Sequence, residues 1–242
     1  MRIRSTNPVY KYADYATGSD TATYGGVTSK IGILLGVIAL MALTIGSRFS
    51  ADISVSTLIV GAVVAPILAI ISIIVVHRSP ALAMPFSIVY AMCEGAFLGL
   101  ISAIYAAYFG DAIVYTALLA TFGVLAMMLF LYSSGIIRVG AFFRRLMTTM
   151  LFGLIGASLL IFIVAMAGGL SGGFYSFYVA IVVVSVVISS LYLLIDFDNI
   201  SNYIDAGASK EFEWSLALGL VVTIVWLYIE LLRLIAIITS RD

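Results

Sequence analysis

The sequence predicts an all-α integral membrane protein with seven transmembrane helices. Of its 242 residues, 63% are hydrophobic and only 10% are charged, whereas a soluble domain carries about 25% charged residues. Seven apolar stretches are each long enough to cross a hydrocarbon core of ~30 Å, which takes about 20 residues in a helix. Runs of this length exclude a β-barrel, whose strands span the membrane with about 10 residues each.

The apolar stretches leave little chain for anything outside the membrane. In order they cover residues 27–46, 53–76, 81–109, 112–132, 146–167, 174–195 and 214–238. The breaks between them are too short to fold alone. We therefore assign residues 1–26 to a polar cytoplasmic N-terminal tail, without the apolar core of a signal peptide, and residues 27–242 to a seven-helix transmembrane domain.

The distribution of positive charges predicts the orientation. Cytoplasmic flanks of membrane helices carry an excess of Lys and Arg. Nine of the twelve Lys and Arg residues fall on one side of the predicted topology, against Arg48, Arg233 and Arg241 elsewhere: Arg2, Arg4, Lys11, Lys30, Arg78, Arg138, Arg144, Arg145 and Lys210. The N-terminus is therefore expected in the cytoplasm. Seven full spans are favoured, although a last helix that stops partway and returns would keep both ends inside.

Several classes of function are excluded by composition. The formal net charge is zero, so no basic field attracts nucleic acid. The single cysteine, Cys93, allows no disulfide within the chain, and with His77 as the one histidine a closed zinc site is not expected. No phosphate-binding loop, haem-attachment motif or dinucleotide fingerprint is present. We expect neither an enzyme nor a bound cofactor.

Small residues four positions apart recur within the apolar stretches. Such pairs let two helix backbones approach closely in a membrane. We interpret them as packing positions rather than as a functional site; the pairs are Gly32 with Gly36, Gly95 with Gly99, and Gly153 with Ala157.

Ionisable side chains inside the spans are the candidate functional residues, because a charge in the bilayer costs at least ~2.5 kcal/mol on insertion scales. Glu94 lies thirteen residues into the third stretch, ~20 Å deep and near the midplane. Asp196 closes the sixth stretch, near its cytoplasmic end. Glu230 lies sixteen residues beyond the start of the seventh, ~24 Å from the cytoplasmic side. Arg233 follows it by three residues.

These carboxylates suggest a path for cations. Hard cations such as calcium prefer carboxylate, carbonyl and water oxygens, and carboxylates that share an apolar site take up a proton near neutral pH. Asp196, Glu94 and Glu230 at successive depths therefore predict a pH-gated cation path. Glu230 and Arg233 could instead simply neutralise each other. Asp198 lies where the chain is expected to leave the membrane, and a solvated carboxylate there needs no special role.

Three segments of the chain resemble the transmembrane Bax inhibitor motif family, the Bax inhibitor-1 relatives, and in particular its bacterial members. The segment LIDFDNI at 194–200 is similar to the family pattern of an apolar pair, Asp, an apolar residue, two polar residues and Ile. VWLYIELLR at 225–233 resembles the end of its last helix, and YAMCEGAFLG at 90–99 resembles its third helix. The resemblance implies a Bax inhibitor-1-like bundle in the inner (plasma) membrane.

The resemblance also implies a function. Family members are proposed to leak calcium down its gradient, gated by two aspartates on the last two helices that bind protons or calcium. Asp196 matches the first aspartate, but the second position, ten residues before Arg233, holds Thr223, which can ligate but cannot titrate. We expect Glu94 to replace it as the partner of Asp196, with both as transient calcium ligands. Glu230 and Arg233 are expected to form a latch near the outer end.

The predicted function is thus a pH-sensitive cation leak with calcium as the expected ion. Its predicted partners are the lipid bilayer and calcium or protons. Two alternatives stay open. A proton-coupled carrier would use the same carboxylates to move an unidentified solute. The chain could instead be a modulator or binding partner of a membrane protease, since some bacterial relatives associate with such a protease and restrain it. The helix bundle or the N-terminal tail would then be the docking surface.

Overall fold

Seven helical spans make up most of the described part of the chain, as the apolar stretches predict. The computed structural model describes residues 21–48, 60–166 and 172–240. Seven helical spans are long and apolar enough to cross a membrane, so the protein is an all-α, multi-pass membrane protein. The second span, Gly61–Arg78, begins in a π-helical turn at Val60–Val64 that leads directly into its α-helix. We label the seven α-helices α1 Tyr24–Arg48, α2 Ala65–Arg78, α3 Ala83–Phe109, α4 Ala112–Ser133, α5 Ala141–Met166, α6 Gly172–Asp205 and α7 Phe212–Thr239.

Two helices extend well beyond their apolar stretches, which corrects the sequence-based boundaries. The sixth stretch ends at residue 195, but α6 continues to Asp205, so Asp196 and Asp198 lie within a helix rather than at its end. Helix α5 begins at Ala141, inside the segment predicted to be a loop, so Arg144 is helical. Hydropathy marks a run of apolar side chains and not the end of a helix, so a helix can continue past its apolar stretch where polar side chains support it.

Proline and glycine set several helix ends. Pro66 lies in the first turn of α2, where its missing N–H is not needed. Helix α3 ends at Gly110, with φ +87°, and α6 is followed by Gly207, with φ +71°. Residues with a side chain rarely adopt this left-handed conformation. The N–H of Gly110 donates to the Ala106 carbonyl at 2.8 Å, and that of Gly207 to the Ile204 carbonyl at 2.9 Å.

The chain divides into two compact units, and the first contains α1, α2, most of α3, the end of α6 and the start of α7. Helices α1 and α3 contact each other through glycine. A Cβ on Gly95 would lie 2.7 Å from the Ile38 carbonyl oxygen, and one on Gly99 would lie 2.6 Å from the Ala42 carbonyl oxygen. This small-residue pair therefore packs two backbones together, as predicted.

The other small-residue positions do not have this role. A Cβ added to Gly32, Gly36 or Gly153 would meet nothing within 4 Å among the described residues. Within the part of the chain that the structure describes, the predicted close packing is therefore not found at these three glycines. The spacing of small residues shows only that two helix backbones are sterically able to approach each other. Which small residues lie at a contact depends on the face that each helix turns towards its neighbour.

The second unit contains the end of α3, then α4, α5, most of α6 and the rest of α7. Its core joins the last three helices. Met147 and Leu154 of α5 pack with Ile188 and Ile195 of α6, and Trp226 of α7 packs against this cluster. Helix α7 is continuous over 28 residues, or ~42 Å at the rise of an α-helix. It has no break at which it could turn back.

Candidate functional site

Asp196 and Thr223 meet in the second unit. Asp196, on α6, is partly buried, and Thr223, on α7, is only 6% exposed. The Thr223 hydroxyl donates a hydrogen bond to Asp196 Oδ2 with an oxygen–oxygen distance of 2.5 Å. Thr223, which stands at the second aspartate position implied by the resemblance to the Bax inhibitor family, thus lies opposite Asp196 in the structure. A neutral hydroxyl stands beside this carboxylate at the position where the resemblance implies a second aspartate.

Further polar groups surround Asp196. Arg144, on α5, lies close enough to interact with its carboxylate electrostatically. Tyr192, one turn earlier on α6, also interacts with Asp196 and lies within hydrogen-bonding reach of Thr148. Its ring makes an edge contact with Trp226 of α7, with centroids 6.0 Å apart. Asp196 therefore lies at a junction of α5, α6 and α7.

Sequence reasoning did not find Arg144, Thr148 and Tyr192. Arg144 was counted only as a cytoplasmic charge, in a segment predicted to be a loop. Because α5 begins at Ala141, its first turns bring Arg144 and Thr148 to the level of Asp196. Tyr192 is four residues before Asp196 and therefore on the same face of α6. This spacing is the one feature of the sequence that could have predicted their interaction.

Asp198 has a local partner. Its Oδ2 accepts a hydrogen bond from Asn202 Nδ2 at 2.9 Å, a pair four residues apart on α6. Such i, i+4 pairs stabilise a helix. Asp198 belongs to the first unit and Asp196 to the second.

Glu230 and Arg233 form an ion pair one turn apart on α7. Arg233 Nη1 donates to Glu230 Oε1 at 3.4 Å and to Oε2 at 3.3 Å. The Glu230 carboxylate is buried, whereas the Arg233 side chain is 35% exposed. The two side chains neutralise each other in part, and their predicted role as an outer latch stays a prediction.

Glu94 lies near the middle of α3, in the first unit, and is partly buried. It interacts electrostatically with Tyr90 and Cys93 of the same helix. Within the described part of the chain, no hydrogen bond or ion pair is found for its carboxylate. Its pairing with Asp196 of the second unit stays a prediction.

A second buried carboxylate, missed from the sequence, lies in the first unit. Glu213, at the start of α7, is 1% exposed. Its Oε1 accepts hydrogen bonds from the Thr23 backbone N–H at 2.9 Å and from the Thr23 hydroxyl at 3.2 Å. Its Oε2 accepts one from Lys30 Nζ, which also lies 5.5 Å from the centre of the Trp214 ring. We call Thr23, Lys30 and Glu213 the Glu213 clasp.

The backbone reinforces this clasp. The N–H of Ala22 donates to the Ala208 carbonyl at 2.8 Å, and an antiparallel bridge joins Thr21 to Ser209. The start of α1 is thereby tied to the chain just before α7. The position of Lys30 within the first apolar stretch is the feature of the sequence that could have predicted a buried counter-charge. In the sequence analysis Lys30 serves only to predict the orientation.

Metal binding has limited support from side chains alone. In the described ranges, no group of three or more His, Cys, Asp or Glu residues is arranged to hold a metal ion. A calcium ion near Asp196 would therefore depend on hydroxyl, carbonyl and water oxygens as well.

Comparison with known proteins identifies the family. A search of curated proteins finds no match to the chain. The family model described as Bax inhibitor 1 like matches residues 5–240, which is nearly the whole chain. This match agrees with the seven spanning helices. The chain therefore belongs to the Bax inhibitor 1 like family.

Proposed function

We propose that the protein is a pH-sensitive cation leak of the inner membrane, with calcium as its ion and its N-terminus in the cytoplasm. The observation that carries this proposal is the contact between the Thr223 hydroxyl and the Asp196 carboxylate. It puts an ionisable group and a second oxygen ligand between two spanning helices of a Bax inhibitor 1 like protein. An ionisable residue inside a membrane span is by default a candidate for an ion path.

The chemistry of the pair suits a leak. Calcium takes six to eight oxygen ligands, including carboxylates, hydroxyls and water. A conducting site must bind its ion well enough to admit it and weakly enough to release it. One carboxylate beside a hydroxyl carries half the negative charge of two carboxylates. The Asp196–Thr223 pair therefore holds calcium less tightly than a two-aspartate site and releases it more readily.

The pair also provides a simple response to pH. Arg144 stays charged at every accessible pH, and the Tyr192 phenol stays neutral near pH 7. Asp196 is thus the group of this cluster whose charge a proton can remove. Protonation removes the negative charge that attracts a cation, so we expect flux to fall on acidification.

The test is calcium flux into liposomes that contain the purified full-length protein and an enclosed indicator, measured from acidic to mildly alkaline pH. We expect pH-dependent flux for the wild type and loss of that dependence for Asp196→Asn. Asp205→Asn is the matched control, because Asp205 is exposed at the end of the same helix. The proposal fails if folded protein gives no flux above empty liposomes, or if Asp196→Asn behaves like the control.

Glu94 is the proposed second carboxylate, and Glu94→Gln tests its partnership. We expect this variant to weaken flux at alkaline pH, whereas Glu211→Gln, at an exposed position, leaves it unchanged. Equal flux in both variants would remove Glu94 from the path. Saturable counterflow of a solute would instead indicate the proton-coupled carrier.

A further inference from the structure

A cavity in the second unit opens where α3 and α7 end and α6 begins. Its volume is about 360 Å³, and its polar lining consists of four tyrosines, one arginine and one serine: Tyr105, Tyr108, Tyr175, Tyr178, Arg233 and Ser240. The rest of the lining is apolar. If all seven helices span, this cavity lies at the membrane surface opposite the N-terminus.

The charge of the cavity comes from Arg233. A guanidinium has five N–H donors, and Glu230 engages it through Nη1 alone. The distances of 3.3 and 3.4 Å in this pair exceed the 2.7 to 2.9 Å of a strong charged hydrogen bond. Glu230 is buried while the Arg233 side chain is 35% exposed. The arginine is thus able to bind a second anion from the cavity side.

The tyrosines complement that charge. Tyr178 lies close enough to Arg233, Tyr105 and Tyr175 to interact electrostatically with each, and the Tyr175 and Tyr178 rings are 6.5 Å apart. Phenol hydroxyls donate hydrogen bonds to phosphate oxygens. Tyrosine rings also favour the boundary between lipid and water, because they have one apolar and one polar end.

We propose that this tyrosine cavity binds the phosphate headgroup of an anionic phospholipid from the adjoining leaflet. The guanidinium and the phenols contact the phosphate, while the apolar wall of Ile104, Ala236 and Ile237 contacts the glycerol and the first carbons of the chains. A lipid fits this combination better than a free anion because four of the ten lining residues have no polar group to offer. The proposal is independent of the cation leak.

The test uses the full-length protein in detergent, titrated with short-chain phosphatidylglycerol, short-chain phosphatidylcholine and inorganic phosphate. Bound lipid is counted by native mass spectrometry, and thermal stabilisation is measured in parallel. We expect one phosphatidylglycerol to bind with clear preference over phosphatidylcholine. Phosphate alone is expected to stabilise the protein little.

Three variants locate the binding to the cavity. Arg233→Gln is expected to weaken phosphatidylglycerol binding about tenfold or more, the effect of losing a hydrogen bond to a charged group. Glu230→Gln/Arg233→Gln removes both members of the ion pair and leaves no unpaired buried carboxylate. Weaker phosphatidylglycerol binding by this double variant therefore reflects the missing guanidinium itself. Tyr178→Phe keeps the ring and is expected to weaken binding about threefold through its lost hydroxyl.

Arg48→Gln is the matched control, since this exposed arginine ends α1 and the predicted topology puts it on the same side of the membrane. Binding that falls equally in Arg48→Gln and Arg233→Gln would overturn the proposal in favour of general attraction to positive charge. Equal binding of both lipids would also overturn it. Inorganic phosphate that stabilises the protein as well as the lipid would reassign the cavity to a free anion.

Discussion

The two units satisfy a buried carboxylate in opposite ways. In the first, both oxygens of Glu213 are occupied, one by the backbone and hydroxyl of Thr23 and the other by the ammonium of Lys30. In the second, Asp196 has the neutral hydroxyl of Thr223 as its hydrogen-bond donor, with Arg144 acting from nearby. A carboxylate with a complete set of charged and neutral donors is held in place. One that depends on a hydroxyl keeps the freedom to exchange partners.

This difference separates structure from function. Glu213 is 1% exposed and lies where the start of α1 meets the start of α7. Its ion pair ties together two segments distant in sequence. Asp196 is only partly buried, as the proposed exchange of a proton or a cation requires. The comparison predicts that changes in the clasp reduce stability, whereas changes at Asp196 and Thr223 chiefly alter ion movement.

Breaking the Glu213 clasp should have the largest effect on stability. Glu213→Gln leaves the charge of Lys30 without its buried counter-charge, and removing one partner of a buried pair costs about 3 kcal/mol or more. We expect a free energy of unfolding lower by about 3 kcal/mol, measured by denaturant unfolding in detergent. The matched control is Glu211→Gln, two residues earlier and exposed, with little change expected.

A double variant sharpens this prediction. Lys30→Met/Glu213→Gln removes both charges, so part of the stability lost in Glu213→Gln should return. If Glu213→Gln and Glu211→Gln have equal effects, the clasp does not stabilise the first unit. The contrast with Asp196 would then be lost.

Helix packing in the first unit predicts the next largest effect. A methyl group at Gly99 would lie 2.6 Å from the Ala42 carbonyl oxygen, so Gly99→Ala must push α1 and α3 apart. Forcing extra atoms into a packed interface costs about 1 to 3 kcal/mol. Gly123→Ala is the control on α4, because its methyl group would meet nothing within 4 Å among the described residues. Thermal unfolding of both variants checks this, and equal melting temperatures would contradict the packing.

Much of the fold followed from the sequence, because apolar length is a local property. The seven spans needed only runs of about 20 apolar residues. The continuation of α6 was not visible in hydropathy, since its last turns are polar and are supported by contacts such as that of Asp198 with Asn202. A helix can persist where the apolar signal has already ended.

The candidate site was predictable only in part. Counting back from Arg233 led to Thr223, which the structure places against Asp196. The Lys30–Glu213 pair joins residues 183 positions apart, and no periodicity connects them. Arg144 was hidden because its segment was expected to be a loop. Contacts between helices depend on rotation and tilt, which the sequence of one helix does not specify.

The smallest expected change in stability comes from Thr223→Val, which keeps the shape of the side chain and removes the hydroxyl. It should lower the free energy of unfolding by only about 1 kcal/mol, because water can reach the partly exposed Asp196 and replace the lost hydrogen bond. Thr121→Val is the matched control: Thr121 is buried on α4 and its hydroxyl donates to the Ala117 carbonyl at 2.7 Å. Both variants should lose similar stability, but only Thr223→Val should alter the pH dependence of calcium flux in liposomes. Identical flux profiles for the two variants would mean that Thr223 supports Asp196 only as a packing residue, and the difference between the two buried carboxylates would then carry no consequence for ion movement.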